Sequence, residues 1–304
     1  MKKKYIWSIL AVLILIGWFG VAEYQDIKNR EDLYKMELEY YNKQCNKSME
    51  NCEELIKPTH YKMDALGQAL YTIKTSNFNY MILFFILFIG VPGMYQFYKE
   101  FRSGYIKNIL IRESYSKYMK KGVFDALKKT IFIIPLTLLG CFIISYILCD
   151  GIVDINYTFN HSMQGISMPS DTYLKSLPLF LTTYVLNLIL LTIICVNISL
   201  ICVKKAKNFI LAIIMSLLVY FLTNIVLNVG LGTIIFEMLF HIDGAAYYTS
   251  FYNLISYEAP INNATIYGLM YMIIFMVIST IISYICLYWC YRDKEKVLIE
   301  VEKG

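Results

Sequence analysis

Residues 98–122 read YKEFRSGYIKNILIRESYSKYMKKG, a basic segment between two long runs of almost uninterrupted apolar residues. An apolar run of about 18 or more residues is long enough to cross the ~30 Å hydrocarbon core of a bilayer as a helix. A charged stretch between two such runs is typical of a connection between membrane-spanning helices. The arrangement therefore predicts an integral membrane protein.

The composition agrees with a membrane protein. Of the 304 residues, 58% are hydrophobic and 17% are charged, and the mean hydropathy is +0.51. Soluble domains average about 25% charged residues. Six apolar blocks are long enough to span a bilayer: Tyr5–Ala22, Phe78–Phe97, Ile131–Cys149, Leu177–Val203, Phe209–Leu231 and Ile266–Tyr291. These blocks lack the strict alternation of apolar and polar residues that is typical of membrane barrel strands. They therefore predict an all-α fold with six transmembrane helices in one domain, residues 1–304.

The distribution of basic residues predicts the orientation. With the N-terminus in the cytoplasm, the inner segments hold 19 of the 28 Lys and Arg residues but only 7 of the 23 Asp and Glu residues. Such an excess of Lys and Arg is typical of cytoplasmic loops. Both termini and residues 98–130 are therefore predicted to be cytoplasmic, in a multi-pass protein of a bacterial plasma membrane. The net charge of +5 reflects this topology and does not indicate a nucleic-acid-binding surface.

The first apolar block has two interpretations. Lys2–Lys4 precede it, and Gly20-Val21-Ala22 resembles the small-residue site at which a signal peptide is cleaved. Cleavage would leave five helices and would not change the orientation of the others. The block is long for the apolar part of a signal peptide, so we interpret it as the first membrane helix.

Two outer segments have different patterns. In residues 23–77, apolar and aromatic positions at helical spacing among charges predict a helical hairpin or surface helices beside the membrane. Residues 232–263 are apolar and aromatic, yet Glu237 and His241 interrupt them. We expect short re-entrant helices there, with a break near Asp243-Gly244. Irregular backbone at membrane depth is tolerated only where it is buried in protein or faces water.

The basic segment itself has the pattern of an amphipathic helix. Apolar residues recur at spacings of three and four, from Ile106 to Leu110 and from Ile111 to Tyr115 and Tyr118, with basic residues between them. Such a segment can lie on the inner membrane face. It is either an ordinary cytoplasmic loop whose cations reach lipid headgroups, or an element that transmits movement from a partner.

A spaced pattern in this segment favours the second interpretation. Glu100, Gly104, Leu110, Ser114 and Lys121 match E-x-x-x-G-x-x-x-x-x-L-x-x-x-S…K between the second and third helices. With six helices and both termini inside, the chain resembles the permease subunits of ABC-2 type exporters, which have the type V fold. The resemblance implies a cytoplasmic coupling helix between helices two and three, and outer re-entrant helices between helices five and six.

The resemblance also implies partners. Residues 98–130 are expected to fit a groove of an ABC ATP-binding subunit, and a second permease copy or a related permease is expected beside this one, within membrane lipid. No G-x-x-x-x-G-K-[ST] sequence occurs in the chain, so ATP and Mg²⁺ are expected on the ATPase and no cofactor on this chain. The candidate ATPase-coupling residues are Glu100, Arg102, Gly104, Lys107, Leu110, Arg112, Ser114 and Lys121.

Polar residues in the apolar segments are the candidates for a substrate path. They are Asn187, Asn224, Asn228, Glu237 and His241. Asparagines in membrane helices also form hydrogen bonds between helices, worth ~0.6–2 kcal/mol each, and this structural role stays open. Glu237 is expected to contact a cationic substrate, to close an outer gate, or to lie exposed among headgroups.

The eight cysteines do not form a disulfide framework. Six lie in or at the ends of apolar blocks, where a thiol is a small apolar side chain. Cys45 and Cys52 lie in the first outer segment and are either joined in a disulfide or unpaired. No Cys-x-x-Cys or Cys/His cluster indicates a metal site. No catalytic grouping indicates an enzyme.

The expected function follows from the resemblance. It is ATP-driven export of an amphipathic or membrane-active compound, such as an antimicrobial peptide, giving export or immunity. The alternative is a non-transporting membrane sensor or scaffold that binds a partner through residues 23–77. The two functions differ in whether the chain needs an ATPase.

Overall fold

The computed structural model describes residues 5–46, 64–74, 84–103, 106, 111–151, 177–251 and 266–293. These residues form helices and the turns between them, and they contain no strand, so the prediction of a helical fold is confirmed for this part of the chain. Four residues chosen from the sequence, Cys52, Gly104, Lys107 and Leu110, lie outside the described residues.

The described helices follow one another in the chain with short connections at several points. They are α1 (Ile6–Cys45), α2 (Ala65–Lys74), α3 (Phe85–Arg102), α4 (Tyr115–Thr130), α5 (Ile133–Leu148), α6 (Leu177–Lys205), α7 (Phe209–Ile225), α8 (Ala245–Thr249) and α9 (Ile266–Tyr291). A π-helical stretch, Val226–Leu239, continues α7 and is called the π-segment.

Five stretches are long and apolar enough to cross a membrane. They are Ile6–Cys45, Tyr115–Leu148, Leu181–Lys205, Phe209–Leu239 and Met270–Tyr291. The second predicted block starts at Phe78, outside the described residues, and α3 carries charged residues in its last turn. The structure therefore has the apolar helices of a membrane protein, and the sixth span stays a prediction.

The central helix of the bundle is α6. It packs most extensively against α9 and α3, and next against α7. In its most apolar stretch 67% of the residues are buried, against 17% in the stretches formed by α7 with the π-segment and by α9. A helix that is apolar all round belongs at the centre of such a bundle. The apolar side chains of α7 and α9 that face away from α6 remain on the outer surface.

The first helix is longer than the sequence analysis predicted. The helix was expected to end at Ala22, with separate surface helices in residues 23–77, but α1 continues unbroken to Cys45. No Gly or Pro interrupts the chain between Val21 and Cys45, and the buried face passes through Phe19 and Glu23 at helical spacing. A helix of 40 residues is ~60 Å long, about twice the thickness of the hydrocarbon core. α2 packs against α1 and α5.

The chain reverses its direction after the π-segment. π-Helical turns are rare and are often found at functional sites. His241 and Gly244 have positive φ angles of 54° and 77°, and α8 then packs back along the π-segment. The reversal lies at the predicted Asp243-Gly244 break. Entry of this element into the membrane stays a prediction.

The packing of α8 on the π-segment depends on a residue without a side chain. A Cβ atom at Gly232 would lie 2.7 Å from the Cα atom of Ala246, closer than two such atoms can approach. At Gly230, two residues earlier, the nearest atom would be Cγ1 of Val226 at 4.0 Å.

We expect Gly232→Ala to lower the free energy of unfolding by about 1–3 kcal/mol, because the new methyl group overpacks the backbone of α8. Gly230→Ala is the matched control, and it should be neutral or stabilising by up to ~1 kcal/mol, because alanine favours a helix over glycine. Denaturation of the two purified variants in detergent, followed by circular dichroism, measures the difference. Equal effects would contradict the close approach of α8.

Candidate functional site

The connection between α3 and α4 is anchored at both of its ends. Nη2 of Arg102, the last residue of α3, donates to the carbonyl of Lys204 at 3.1 Å. The hydroxyl of Tyr115, the first residue of α4, donates to the carbonyl of Tyr291 at 2.8 Å. The two acceptors lie in the last turns of α6 and α9. We call the end of the bundle defined by these four residues the basic end.

Tyr291 joins four helices at the basic end. Its hydroxyl donates to the carbonyl of Leu200 in α6 at 2.6 Å, and its carbonyl accepts from Tyr115 in α4. Its ring packs edge-on against Phe97 and Phe101 of α3, with centroid distances of 5.8 and 6.2 Å. The side chain is only 4% exposed. Movement of any of these helices at this end must therefore rearrange contacts of Tyr291.

Lys204 adds a further contact at the basic end. Nζ of Lys204 donates to the carbonyl of Cys290 at 2.6 Å and lies 5.9 Å from the centre of the Tyr291 ring. The C-terminal carbonyls of a helix carry partial negative charge, so a cation there is favourable by about 0.3–1 kcal/mol at an exposed site. Lys204 is 8% exposed, where screening by water is weaker. The last turn of α9 is thus bound to the last turn of α6.

Glu100 belongs to a hydrogen-bonded chain between α3 and α4. Nε2 of Gln96 donates to Oε1 of Glu100 at 2.7 Å, and Oε1 of Gln96 accepts from Nζ of Lys129 at 2.7 Å. Lys129 is 4% exposed, and a buried ammonium group requires such polar partners. Glu100, chosen from the sequence as a coupling residue, therefore also contributes to the contact between α3 and α4. Gln96 and Lys129 were not chosen from the sequence.

The other described coupling residues lie at the start of α4. Ser114 precedes α4 in an extended conformation, and its carbonyl accepts from the backbone N–H of Tyr118 at 3.0 Å. Nζ of the exposed Lys121 lies 3.9 Å from a carboxylate oxygen of the half-buried Glu113, which makes a loose ion pair. Arg112 is exposed. The structure therefore places Arg112 and Lys121 on the surface and Arg102 within the bundle.

Two candidate substrate-path residues hold the chain reversal in place. Oδ1 of Asn224 accepts from the backbone N–H of Phe251 at 2.9 Å, and Oε1 of Glu237 accepts from the backbone N–H of Ala246 at 3.0 Å. Phe251 is fully buried and its ring stacks on Tyr220 with a centroid distance of 5.8 Å. These polar side chains thus fasten the returning chain to α7 and the π-segment.

Two further candidates for the substrate path, Asn228 and His241, do not take part in these hydrogen bonds. Asn228 is half-buried in the π-segment, and His241 is exposed in the turn beyond its end. Glu237 and His241 are four residues apart but do not share a helical turn, because the helix ends at Leu239.

The asparagines of α6 have different surroundings. Asn197 donates from Nδ2 to Oγ of Ser283 in α9 at 2.9 Å, which is a hydrogen bond between helices. Asn187 is 2% exposed, and its Oδ1 has no hydrogen-bond partner among the described residues. A buried acceptor without a partner costs about 1–3 kcal/mol. The Oδ1 atom of Asn197 also has no partner among the described residues, so this feature is common to both asparagines and a path role for Asn187 stays a prediction.

A polar cluster at the end opposite to the basic end was missed by the sequence analysis. Glu23 is fully buried and lies beside Ser145 of α5. Arg30, two turns further along α1, donates from Nη2 to Oε1 of Gln68 in α2, and its guanidinium lies 5.0 Å from the ring of Tyr71. The sequence feature that indicates this cluster is the helical spacing that continues beyond Ala22, because it places Glu23 and Arg30 on the buried face of a single helix.

The surroundings of the cysteines are known only in part. The part of the chain that the structure describes contains no cluster of three or more His, Cys, Asp or Glu side chains that could hold a metal ion. Cys45 is disulfide-bonded. Cys52 lies outside the described residues, so its pairing with Cys45 stays a prediction.

Comparisons with known proteins assign neither a family nor a fold. No family model, no curated protein and no solved structure matches the chain. The function must therefore be inferred from the residues and their arrangement.

The central place of Tyr291 predicts a graded response to substitution. Tyr291→Phe should lower the free energy of unfolding by about 0.5–1.5 kcal/mol, because it removes one hydrogen bond and keeps the ring. Tyr291→Ala should cost about 3–5 kcal/mol, because it also leaves a cavity among the aromatic rings. Denaturation in detergent measures both values.

The same two substitutions at Tyr288 are the control. Tyr288 lies one turn earlier on α9 and is 60% exposed, so both changes should have small effects. Similar losses at the two positions would contradict the role of Tyr291.

Proposed function

We propose that this chain is the membrane-spanning permease subunit of an ATP-driven ABC exporter. In this proposal six helices cross the membrane, both termini lie in the cytoplasm, and a separate chain hydrolyses ATP. The proposal combines the apolar helical bundle with the spaced residues Glu100, Gly104 and Ser114, which run from the last turn of α3 to the start of α4.

The observation that carries the proposal is the double anchorage of the α3–α4 connection. A partner that displaces residues 103–114 pulls on Arg102 and on Tyr115 at the same time. Their hydrogen bonds to Lys204 and Tyr291 transmit the displacement to α6 and α9. Well-packed interfaces change between discrete arrangements and do not deform continuously. The connection is thus suited to coupling a nucleotide-driven movement to the bundle.

Two protein partners complete the proposed exporter. The ATPase holds ATP and Mg²⁺ and contacts the connection, where Arg112 and Lys121 are exposed. A second permease copy, or a related permease, packs against the outer faces of α7 and α9, which expose apolar side chains such as Leu218 and Ile281. The translocation path lies at this interface in the proposed assembly.

The proposed cargo is an amphipathic or membrane-active compound such as an antimicrobial peptide. Apolar side chains are exposed around the chain reversal, among them Met238, Phe240 and Ile242 at 63%, 65% and 53%. A contiguous exposed apolar patch commonly marks a binding surface. Such a patch can contact the apolar face of the cargo, and export of the cargo would give the cell immunity to it.

One observation favours the alternative function, a non-transporting sensor or scaffold. From Glu23 to Cys45, α1 extends beyond the first apolar block, and α2 packs against it. This part of α1 is ~35 Å long and offers a surface for a partner. A sensor of this kind would need no ATPase.

The test is purification of the tagged full chain from membranes of its own host, with mass spectrometry of the proteins bound to it. We expect an ATPase with a G-x-x-x-x-G-K-[ST] sequence to copurify, and the complex to hydrolyse ATP. Glu100→Lys combined with Gly104→Pro should reduce the bound ATPase at least tenfold, ~1.4 kcal/mol of binding free energy. The reason is that the double variant reverses a charge and stiffens the connection.

The matched control is Glu39→Lys, which reverses an exposed charge of α1 far from the connection. It should leave the bound ATPase and the hydrolysis unchanged. Circular dichroism and elution volume check that both variants keep the fold. If no such ATPase binds the wild type, or if the double variant binds it as well as Glu39→Lys does, the exporter proposal fails.

The proposed orientation predicts which lysines react from outside the cell. A membrane-impermeant amine reagent should label Lys35 of α1 in intact cells, because this side chain is 60% exposed and lies beyond the outer end of the first block. Lys120 of α4 is also exposed but should react only after the cells are permeabilised. Peptide mass spectrometry quantifies both sites, and the reverse pattern would show that the bundle is inverted.

A further inference from the structure

A cavity opens between α4 and α9 at the basic end. Its volume is about 240 Å³. Met119, Val123 and Leu287 form part of an apolar wall. The polar groups of the lining are those of Tyr115, Ser116, Lys120, Tyr284, Tyr288 and Arg292.

All charged residues in the lining are cations. Lys120 and Arg292 are exposed, and neither forms an ion pair with another residue that the structure describes. Among the described residues no Asp or Glu lines the cavity, although the exposed carboxylate of Asp293, which follows Arg292 in the chain, interacts electrostatically with Tyr115 of the lining. The cavity therefore combines an apolar wall with two cations that form no ion pair among the described residues.

Neighbouring aromatic residues place the cavity at the boundary of the bilayer. Tyr288 and Trp289 end the apolar span of α9 and are 60% and 71% exposed. Tyr and Trp side chains in such positions lie at the level of the headgroups. Long cationic side chains at this level extend to lipid phosphates while their methylene groups cover apolar surface.

We propose that this cavity binds one phospholipid with an anionic headgroup. Lys120 and Arg292 hold the phosphate region, and the upper part of an acyl chain lies against Leu287 and Tyr284. A soluble phosphate ion would leave the apolar wall uncovered, whereas a phospholipid covers the wall and neutralises the cations together. The proposal depends only on the chain being embedded in a bilayer and not on the ATPase.

The bound lipid would join α4 to α9. These are the two helices that the hydrogen bond between Tyr115 and Tyr291 already connects, and Tyr115 and Tyr291 both line the cavity. The lipid therefore stabilises the same arrangement of helices as this hydrogen bond does.

The experiment measures lipid retention by native mass spectrometry. The purified full chain in detergent is titrated with dioleoyl phosphatidylglycerol, dioleoyl phosphatidylcholine or inorganic phosphate. We expect one phosphatidylglycerol to be retained with higher affinity than phosphatidylcholine, and inorganic phosphate not to displace it. The double variant Lys120→Gln, Arg292→Gln should bind phosphatidylglycerol about 10- to 30-fold more weakly, since each cation near an anionic surface contributes ~1 kcal/mol.

Two control variants distinguish lipid binding at the cavity from a general effect of positive charge on lipid binding. Lys117→Gln with Lys128→Gln removes two exposed cations of α4 that do not line the cavity, and it should keep the wild-type affinity. Lys120→Arg with Arg292→Lys keeps both charges and should also bind. The proposal is overturned if phosphatidylcholine binds equally well, if inorganic phosphate competes, or if both pairs of glutamine substitutions weaken binding to the same extent.

Discussion

The structure depends on hydrogen-bond donors for the last carbonyls of α6 and α9. The final turn of every α-helix leaves carbonyl groups without partners inside the helix, and in an apolar bundle these groups must be satisfied by side chains or by water. Arg102, Tyr115 and Lys204 donate to carbonyls of these two final turns, and Tyr291 donates to a carbonyl one turn earlier in α6. Each donor belongs to a helix other than that of its acceptor. Because these carbonyls need hydrogen-bond donors, side chains of neighbouring helices bind to them, and the resulting contacts align α3, α4, α6 and α9.

The helical, apolar character of the fold could be predicted from the sequence, because it depends only on the length and hydropathy of each block. The end of the first helix could not. Hydropathy falls sharply at Glu23 while the helical pattern continues, so a prediction based on hydropathy ends the helix at Ala22. α1 continues because its backbone hydrogen bonds do not depend on lipid, and because α2 and α5 bury its face beyond Ala22.

The candidate site could be predicted in part. Glu100 and Arg102 were chosen from the basic segment; Arg102 makes a hydrogen bond to another helix, and Glu100 binds Gln96 of its own helix, which in turn binds Lys129 of α4. Tyr291 was not among the candidate residues, because its position at the end of an apolar block gives no sign of partners far away in the sequence. Leu200 and Tyr115 are 91 and 176 residues from it. Contacts between residues so distant depend on the packing of the whole bundle, which hydropathy and spacing do not encode.

The two ends of the bundle are held together by different means, and this difference bears on how the helices can move. At the basic end, side chains of one helix donate to carbonyls of another, so the contacts there are side-chain hydrogen bonds and not contacts between backbones. At the opposite end, α8 packs on the π-segment through Gly232, where a single added methyl group is too large. Close backbone packing of this kind resists sliding. A displacement that begins at residues 103–114 would therefore be taken up first by rearranged hydrogen bonds around α6 and α9, while α8 and the π-segment move together as one unit.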